Sequence, residues 1–282
     1  MGFSLQLLAA ASAVQFALLG GCPGALAQEP ARRATPCGGD VIGRGNATRV
    51  IDGRTFVLDN AREVGLAGIE VVFEPPPQHT DAGARGSEGP AAKDALAALL
   101  SGTEIELRRA EIPSDRYGRL VAYAVTRRDG AELSAQAELI AHGLALVGGQ
   151  IGSRDCAAEL PARENAARAA KLGLWADSYY GLLHADNPTD VLAKRGRFAL
   201  VEGKVLSVRE SGATIYVNFG RRWTEDFTVT IRKRNERSFT AAGVEPKGLA
   251  GRRVRVRGWI EQRGGPWIKA ARPEQIELAD RD

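Results

Sequence analysis

Short strand candidates and helix candidates alternate through the first two thirds of the chain, and this order constrains the fold more than any other feature. Segments rich in Val, Ile and Leu predict strands at 48–58, 64–72, 104–108 and 120–125. Apolar residues at helical spacing, each run ended by a glycine, predict helices at 90–100, 132–141 and 156–172. Strands and helices mixed within one unit favour a small closed β-barrel with three helices packed on it.

A second group of strand candidates follows a connector at 177–196. They lie at 201–208, 214–219, 227–231, 253–260 and 267–270, with one helix candidate at 235–242. Five strands and one helix within about 85 residues fit a second small OB-like barrel, predicted over 197–282. The fold class predicted for the whole chain is therefore mainly β with α.

The first residues have the pattern of an export signal. An apolar run spans Leu5 to Leu19, and the segment Ala-Leu-Ala ending at Ala27 is a small-x-small cleavage pattern. This predicts a signal peptide at 1–27, a tether at 28–45 and a location in the bacterial periplasm. The alternative is a lipoprotein anchored through Cys22. No later segment is apolar for the length of about 20 residues that a membrane-spanning helix needs.

Two cysteines, Cys37 and Cys156, remain once the signal is removed. In an oxidising compartment two cysteines favour one disulfide, which would tie the tether to the third helix. The other possibility is a pair of buried thiols.

Three short signatures follow one another in the first unit. They are VIDGRTF at 50–56, DRYGR at 115–119 and GLW at 173–175. In this order they resemble the staphylococcal nuclease (thermonuclease) family, over a domain expected at 46–176. The resemblance implies an OB-type barrel of five strands with three helices, and metal-dependent hydrolysis of DNA or RNA. The C-terminal part looks like the final domain of exported thermonuclease-family proteins from alphaproteobacteria, which implies no activity.

The resemblance also implies roles for individual residues. Asp52 matches the family's first acidic residue, Glu70 stands at its second metal-binding Asp, and Arg119 matches a phosphate-binding Arg, so these three are the catalytic candidates. Asp52 and Glu70 are also the candidate metal ligands. The family's principal metal-binding Asp is replaced by Arg54, whose guanidinium is permanently charged and repels a cation.

Further positions of the family pattern differ. Gly65 stands where the family has its other phosphate-clamping Arg, and Phe73 stands where it has the general-base Glu. Glu74, one residue later, is a possible substitute base. Tyr117 matches an aromatic that packs beside the nucleotide, and Arg116 replaces a Lys with the same charge. The DRYGR segment also has a purely structural use as a tight turn.

The C-terminal part carries the chain's positive charge. From Gly196 to Asp282 the sequence has 18 Lys and Arg against 11 Asp and Glu. OB barrels bind single strands through exposed aromatics in a basic groove. Arg253, Arg255 and Arg257 alternate along one strand face and predict a positive stripe. The candidate nucleic-acid-binding residues of the chain are Arg54, Arg116, Tyr117, Arg222, Trp223, Arg253, Arg255 and Arg257. Alternatively, the aromatics fill the core and the arginines cover the outside.

These substitutions favour an exported, catalytically impaired protein that binds single-stranded nucleic acid or an anionic component of the envelope. The alternative is an active, metal-dependent nuclease with a rebuilt site, and only this alternative calls for Ca²⁺. No other cofactor is indicated. A scaffold that binds proteins is a third possibility, and the sequence leaves the oligomeric state open.

Overall fold

The computed structural model describes residues 37–72, 88–152 and 154–279, which belong to one compact unit. In these ranges the chain is mostly β, with five α-helices. The helices are α1 (Glu88–Leu100), α2 (Ala135–Ala141), α3 (Arg154–Ala169), α4 (Pro188–Ala193) and α5 (Glu236–Ala241). The strands of the first half are β1 (Val41–Gly45), β2 (Ala47–Asp52), β3 (Thr55–Leu58), β4 (Glu63–Leu66), β5 (Ile69–Glu70), β6 (Ile105–Ser114), β7 (Leu120–Arg128), β8 (Ala131–Ser134) and β9 (Leu146–Val147).

The first large sheet has the strand order β1-β6-β7-β4-β3-β2, with β8 added on β7. Its two edge strands are consecutive in the chain, separated by Asn46 alone. They are two halves of one bent strand, because β1 pairs with β6 and β2 pairs with β3. The parallel pair β4–β7 joins the strands β2, β3 and β4 to the strands β1, β6 and β7. The mainly β fold class is confirmed, whereas no sheet among the described residues closes into the complete ring that the sequence predicts.

Asn46 marks the bend at which the hydrogen-bonding partner changes. Its carbonyl oxygen accepts from the backbone N–H of Asp59 at 2.9 Å, and its own N–H donates to the Asp59 carboxylate at 3.1 Å. The segment 41–45, which the sequence assigns to a tether, is strand β1 instead. It has little apolar pattern because its side chains are exposed or half-buried, and its pairing with β6 supplies the order.

Helices α1, α2 and α3 cover this sheet and bury one hydrophobic core. Phe56, Leu96, Leu139 and Leu160 are all fully buried in it. Helix α2 begins later than the sequence predicts, because Ser134 caps it by accepting a hydrogen bond from the N–H of Ala137 at 3.3 Å. The residues before this cap are strand β8. N-cap bonds of this kind satisfy a backbone donor that the helix leaves unpaired.

The second half repeats the same strand plan. Its strands are β10 (Leu183–His184), β11 (Phe198–Lys204), β12 (Ser207–Ser211), β13 (Thr214–Asn218), β14 (Thr228–Arg232), β15 (Arg253–Trp259), β16 (Glu261–Arg263), β17 (Gly265–Ala270) and β18 (Ile276–Leu278). β11 and β12 again form a bent strand, pairing with β15 and β13 respectively, and the pair β14–β17 is again parallel. Helix α5 lies between β14 and β15, and a separate core fills this half.

A small third core joins the two halves. Leu146 and Trp175 from the first half pack with Leu200 of β11. Beside this cluster, the buried guanidinium of Arg257 lies 2.8 Å from the buried carboxylate of Glu164 on α3. The domain boundaries predicted from the sequence stay a prediction, because all the described residues belong to one compact unit.

The two cysteines lie side by side in the first core. Cys37 and Cys156 are both buried and are present as thiols, so the predicted disulfide is not confirmed. A hydrogen bond with Cys156, together with burial, raises the pKa of the Cys37 thiol well above its ordinary value. The fold nevertheless brings together the two cysteines that the sequence predicts to be neighbours.

Candidate functional site

The turn between β2 and β3 places Asp52 and Arg54. Asp52 folds back on the turn, and its Oδ1 accepts a hydrogen bond from the backbone N–H of Arg54 at 2.9 Å. Gly53 lies between them against α1, where a Cβ would come within 2.6 Å of the Ala92 Cβ. The Asp52 side chain and the close packing of Gly53 against α1 therefore stabilise this turn.

The side chain of Arg54 reaches across to β5. Its Nη1 lies 2.8 Å from Oε2 of Glu70, and both side chains are about one quarter to one third exposed, at 34% and 23%. Burial raises the pKa of Glu70 above its usual value, while the charge and hydrogen bond of Arg54 act in the opposite direction. Two residues that the sequence places at metal-binding positions thus form an ion pair with each other.

The DRYGR segment forms the expected tight turn between β6 and β7. Asp115 accepts hydrogen bonds from the N–H groups of Tyr117 and Arg119 at 2.8 and 3.0 Å, and from Nε of Arg119 at 2.7 Å. Burial would raise the pKa of Asp115, but these bonds outweigh it and hold the pKa below its usual range. The hydrogen bond between the Asp115 carboxylate and the Arg119 guanidinium raises the pKa of Arg119. The turn therefore fixes the direction of a permanently charged guanidinium.

Tyr117 stands out from this turn. It is 68% exposed, and the guanidinium carbons of Arg116 and Arg119 lie 4.7 and 5.4 Å from its ring centroid. An exposed aromatic between two cations is able to contact a planar ring and a phosphate at once.

One cavity of about 500 Å³ brings together several of the predicted residues. We call it the site cavity; Arg54, Glu70 and Arg119 line it, together with Phe198 and Trp259 from the second half of the chain. Asp52 is not among the lining residues, because its carboxylate is turned toward the backbone of its own turn. The site is consequently built from both halves of the chain.

The remaining positions of the family pattern fall in two groups. Gly65 lines the site cavity, and a Cβ there would meet only the Leu120 carbonyl oxygen, at 3.8 Å, so packing does not demand a glycine. Phe73 and the possible substitute base Glu74 lie outside the described residues. Within the described ranges, no group of three or more His, Cys, Asp or Glu side chains is arranged to hold a metal ion.

Arg222 and Trp223 lie on the loop after β13, away from the site cavity. Trp223 is 67% exposed, and Arg222 pairs with Glu225 at 2.8 Å. They remain on an open surface, as the sequence predicts, but the structure does not bring them to the other candidates.

The predicted positive stripe on β15 is wrong for Arg257, which is buried. Arg257 pairs with Glu164 and donates to the Val147 carbonyl oxygen at 3.2 Å. The other two arginines of the stripe also face carboxylates. Arg253 pairs with Glu202 at 3.1 Å, and Arg255 pairs with Glu202 at 2.6 Å and with Glu277 at 3.1 Å. Strand alternation places the three on one face, and each of them pairs with acidic side chains there; the Arg253 side chain is 52% exposed, whereas that of Arg257 is 2% exposed.

Sequence reasoning did not group together a set of aromatic residues that lie beside the site cavity. They are Trp175, Tyr179, Tyr180, Phe198 and Trp259. Trp259 had a signal in the sequence: Val254 and Val256 point inward on β15, so alternation puts Trp259 on the other face, where an aromatic is exposed. The grouping with the tyrosines had none, because it depends on how the connector packs.

The strand order of the first half and the helices that bury its core are consistent with an OB-like fold. Residues 75–177 match the family model of the staphylococcal nuclease homologues. This part of the chain is therefore a staphylococcal-nuclease-like domain. The match includes Arg119 and begins downstream of Asp52, Arg54 and Glu70.

None of the curated proteins matches the chain significantly. Over the residues that the structure describes, no helix combines the length and apolar character needed to cross a membrane.

Proposed function

We propose that this protein binds single-stranded nucleic acid through its staphylococcal-nuclease-like domain and is catalytically impaired as a nuclease. The ion pair between Arg54 and Glu70, 2.8 Å apart at the wall of the site cavity, carries the proposal. It puts a permanent cation where the family resemblance implies a divalent metal ion. A unit charge and a divalent cation about 4 Å apart repel by about 8 kcal/mol at an effective dielectric of 20.

The side chains around Arg54 do not fit a calcium ion. Ca²⁺ takes about six to eight oxygen ligands, several of them from carboxylates. The two candidate carboxylates, Asp52 and Glu70, both accept hydrogen bonds from Arg54 instead. We therefore assign no reaction step to a metal.

The same residues suit the binding of a phosphate backbone. Arg119 is oriented by Asp115 and lines the cavity, and Arg116 lies over the exposed ring of Tyr117. A cation held in place binds phosphate with little loss of side-chain entropy. An exposed ring beside it offers a surface on which a base can stack.

We also propose that the protein is exported to the bacterial periplasm. This rests on the pattern at 1–27, which lies outside the described residues. The intact mass of the exported protein tests it: cleavage after Ala27 gives the mass of the chain from residue 28, whereas lipid attachment at Cys22 gives a larger, acylated product.

The decisive experiment incubates the purified protein with labelled single-stranded DNA in Ca²⁺, Mg²⁺ or Mn²⁺, and separately measures DNA retention over a range of salt concentrations. We expect no cleavage, and retention that weakens steeply with salt because phosphate contacts release counterions. Arg119→Ala is the matched variant and should weaken retention.

Two results would contradict the proposal in different ways. Metal-dependent cleavage that disappears in Arg119→Ala would establish an active nuclease with a rebuilt site. Absence of retention even at low salt would exclude nucleic-acid binding, and would favour a scaffold for an envelope component or a protein.

A further inference from the structure

A second cavity, of about 420 Å³, adjoins the site cavity. We call it the aromatic pocket, and define it by Trp175, Tyr179, Tyr180, Phe198 and Trp259. Most of these residues lie in the connector or the second half of the chain, outside the segment that matches the nuclease family. Cavities of this size accommodate one small ligand or one unit of a polymer.

The two cavities share a wall. Glu70, Phe198 and Trp259 line both of them. Phe198 begins β11 and Trp259 ends β15, where they are cross-strand partners with ring centroids 6.1 Å apart and planes at 76°. Trp259 remains 54% exposed. A chain that follows the site cavity past Trp259 therefore reaches the aromatic pocket directly.

The rings of the pocket are held by their surroundings. Tyr179 and Tyr180 contact each other edge to face at 4.9 Å. Nζ of Lys194 donates to the Tyr179 carbonyl oxygen at 2.8 Å, which ties the start of the connector to the residue that follows α4. Tyr180 and Phe198 pack against the third core, beside the buried Trp175. Rings fixed in this way lose little entropy when a planar ligand stacks on them.

The charges of the pocket favour an anionic ligand. Among the described residues, its charged lining consists of three cations, Lys194, Arg195 and Arg197, and one carboxylate, Glu70. Glu70 already pairs with Arg54. Aromatic rings edged by cations match a base attached to a phosphate, since the ring stacks while the cations neutralise the backbone.

We infer that the aromatic pocket receives a base of the single-stranded nucleic acid whose backbone passes Arg119, with Trp259 as the ring on which this base stacks. The inference rests on the proposed function and extends it to a position formed by the second half of the chain. The inference assigns base stacking to Trp259 and not to Trp223, an exposed tryptophan that lines neither cavity.

The test measures binding of a fluorescein-labelled ten-residue oligothymidylate at low salt by fluorescence anisotropy. The proteins are the full chain and the variants Trp259→Ala, Trp259→Phe, Trp223→Ala and Arg119→Ala, each checked by thermal unfolding. Loss of a stacked base should weaken oligonucleotide binding by Trp259→Ala about 5- to 150-fold. Trp259→Phe keeps a ring and should stay within about threefold of the wild type.

A second measurement separates the base from the phosphate. Thymidine monophosphate should displace the oligonucleotide from the wild type at lower concentration than inorganic phosphate does, and this advantage should shrink in Trp259→Ala. Equal displacement by the two compounds would overturn the inference, because the pocket would then recognise phosphate alone.

The outcomes also distinguish this inference from the proposed function. If Trp259→Ala loses no more affinity than Trp223→Ala while Arg119→Ala binds weakly, the pocket is excluded and nucleic-acid binding stands. If the wild type does not bind the oligonucleotide at low salt, the proposed function itself fails, and the pocket with it.

Discussion

Arg54 on the β2–β3 turn and Glu70 on β5, sixteen positions apart, meet as an ion pair with 2.8 Å between Nη1 and Oε2. Each occupies a position at which the family resemblance implies an acidic metal ligand. The pair satisfies the Glu70 carboxylate internally and leaves a cation in the wall of the site cavity. Changes at these two residues therefore report directly on whether the cavity excludes a metal.

Replacing Arg54 with aspartate should create calcium affinity. Arg54→Asp removes the repulsion and adds a carboxylate beside Asp52 and Glu70, so calorimetry should detect Ca²⁺ binding that the wild type lacks. Arg54→Gln is the control, because it removes the charge without adding a ligand, and should bind more weakly than Arg54→Asp. Tight Ca²⁺ binding by the wild type, lost in Glu70→Gln, would show that the ion pair opens for the metal.

Adding an arginine at position 65 should strengthen nucleic-acid binding. A side chain at Gly65 meets open space in the cavity wall, with the Leu120 carbonyl oxygen as its nearest neighbour. Gly65→Arg should keep the unfolding free energy within about 1 kcal/mol of the wild type, as for surface substitutions. It should also lower the dissociation constant for single-stranded DNA and steepen its salt dependence. Gly65→Gln is the neutral control, and equal affinity of the two variants would contradict a phosphate contact.

The buried ion pair between the halves should make Arg257 costly to replace. Arg257→Met leaves the carboxylate of Glu164, 1% exposed, without its cation, and should lower the unfolding free energy by about 3–5 kcal/mol. Arg253→Met removes a half-exposed cation whose partner Glu202 keeps its ion pair with Arg255, and should cost less than about 1 kcal/mol.

The double variant Arg257→Met/Glu164→Gln removes both charges and keeps an acceptor for the Val147 N–H, which donates to Glu164 at 2.7 Å. It should lose less stability than Arg257→Met alone, as measured by urea unfolding. A loss equal to or greater than that of the single variant would mean that packing, rather than the stranded charge, sets the cost.

The thiols of Cys37 and Cys156 should not react in the folded protein. Both are buried, and the hydrogen bond between them together with burial raises the pKa of Cys37, so the reactive thiolate is scarce. A maleimide reagent should label neither cysteine in the native state and both after unfolding without reductant. If the unfolded, unreduced protein also shows no labelling, the pair is oxidised to the disulfide that the sequence predicts.

Lys194 should make stability rise with pH. Burial, and then the neighbouring Arg197, lower its pKa to about 8. Below pH 8 the ammonium is charged in both the folded and unfolded states and its burial disfavours folding. Between pH 8 and the unfolded pKa near about 10.4 the folded protein loses this proton first, so the penalty disappears.

Urea unfolding of Lys194→Met and wild type at pH 7, 8, 9 and 10 measures this effect. The unfolding free energy of Lys194→Met minus that of the wild type should fall as the pH rises. The exposed Lys204 provides the control variant Lys204→Met. A difference for Lys194→Met that is as flat with pH as the control would contradict the assignment.

Several features could be predicted from the sequence because they are local. Helix α1 follows from apolar spacing and a glycine stop, and the DRYGR turn follows from its Asp and Gly. The start of α2 could not be placed, because Ser134 was read as part of the helix although it caps it. Strand β1 was missed because its order comes from pairing with β6, about sixty residues away in the chain.

In the candidate site, too, local features could be predicted from the sequence and contacts between distant segments could not. Arg54, Glu70 and Arg119, which the family resemblance assigns to one site, line one cavity. Strand alternation also gave the shared face of the arginines on β15, but not the carboxylates of α3 and β11 that cover it. Glu164 and Arg257 are far apart in sequence, and their contact depends on how the two halves pack.

The site cavity takes Arg119 from one half of the chain and Trp259 from the other. Each half alone holds an incomplete surface, so the nucleic-acid affinity that we propose requires both halves packed together. A ligand that contacts both walls of the cavity would bind only while the two halves are packed together. By mass action, such a ligand would therefore stabilise the folded protein against unfolding.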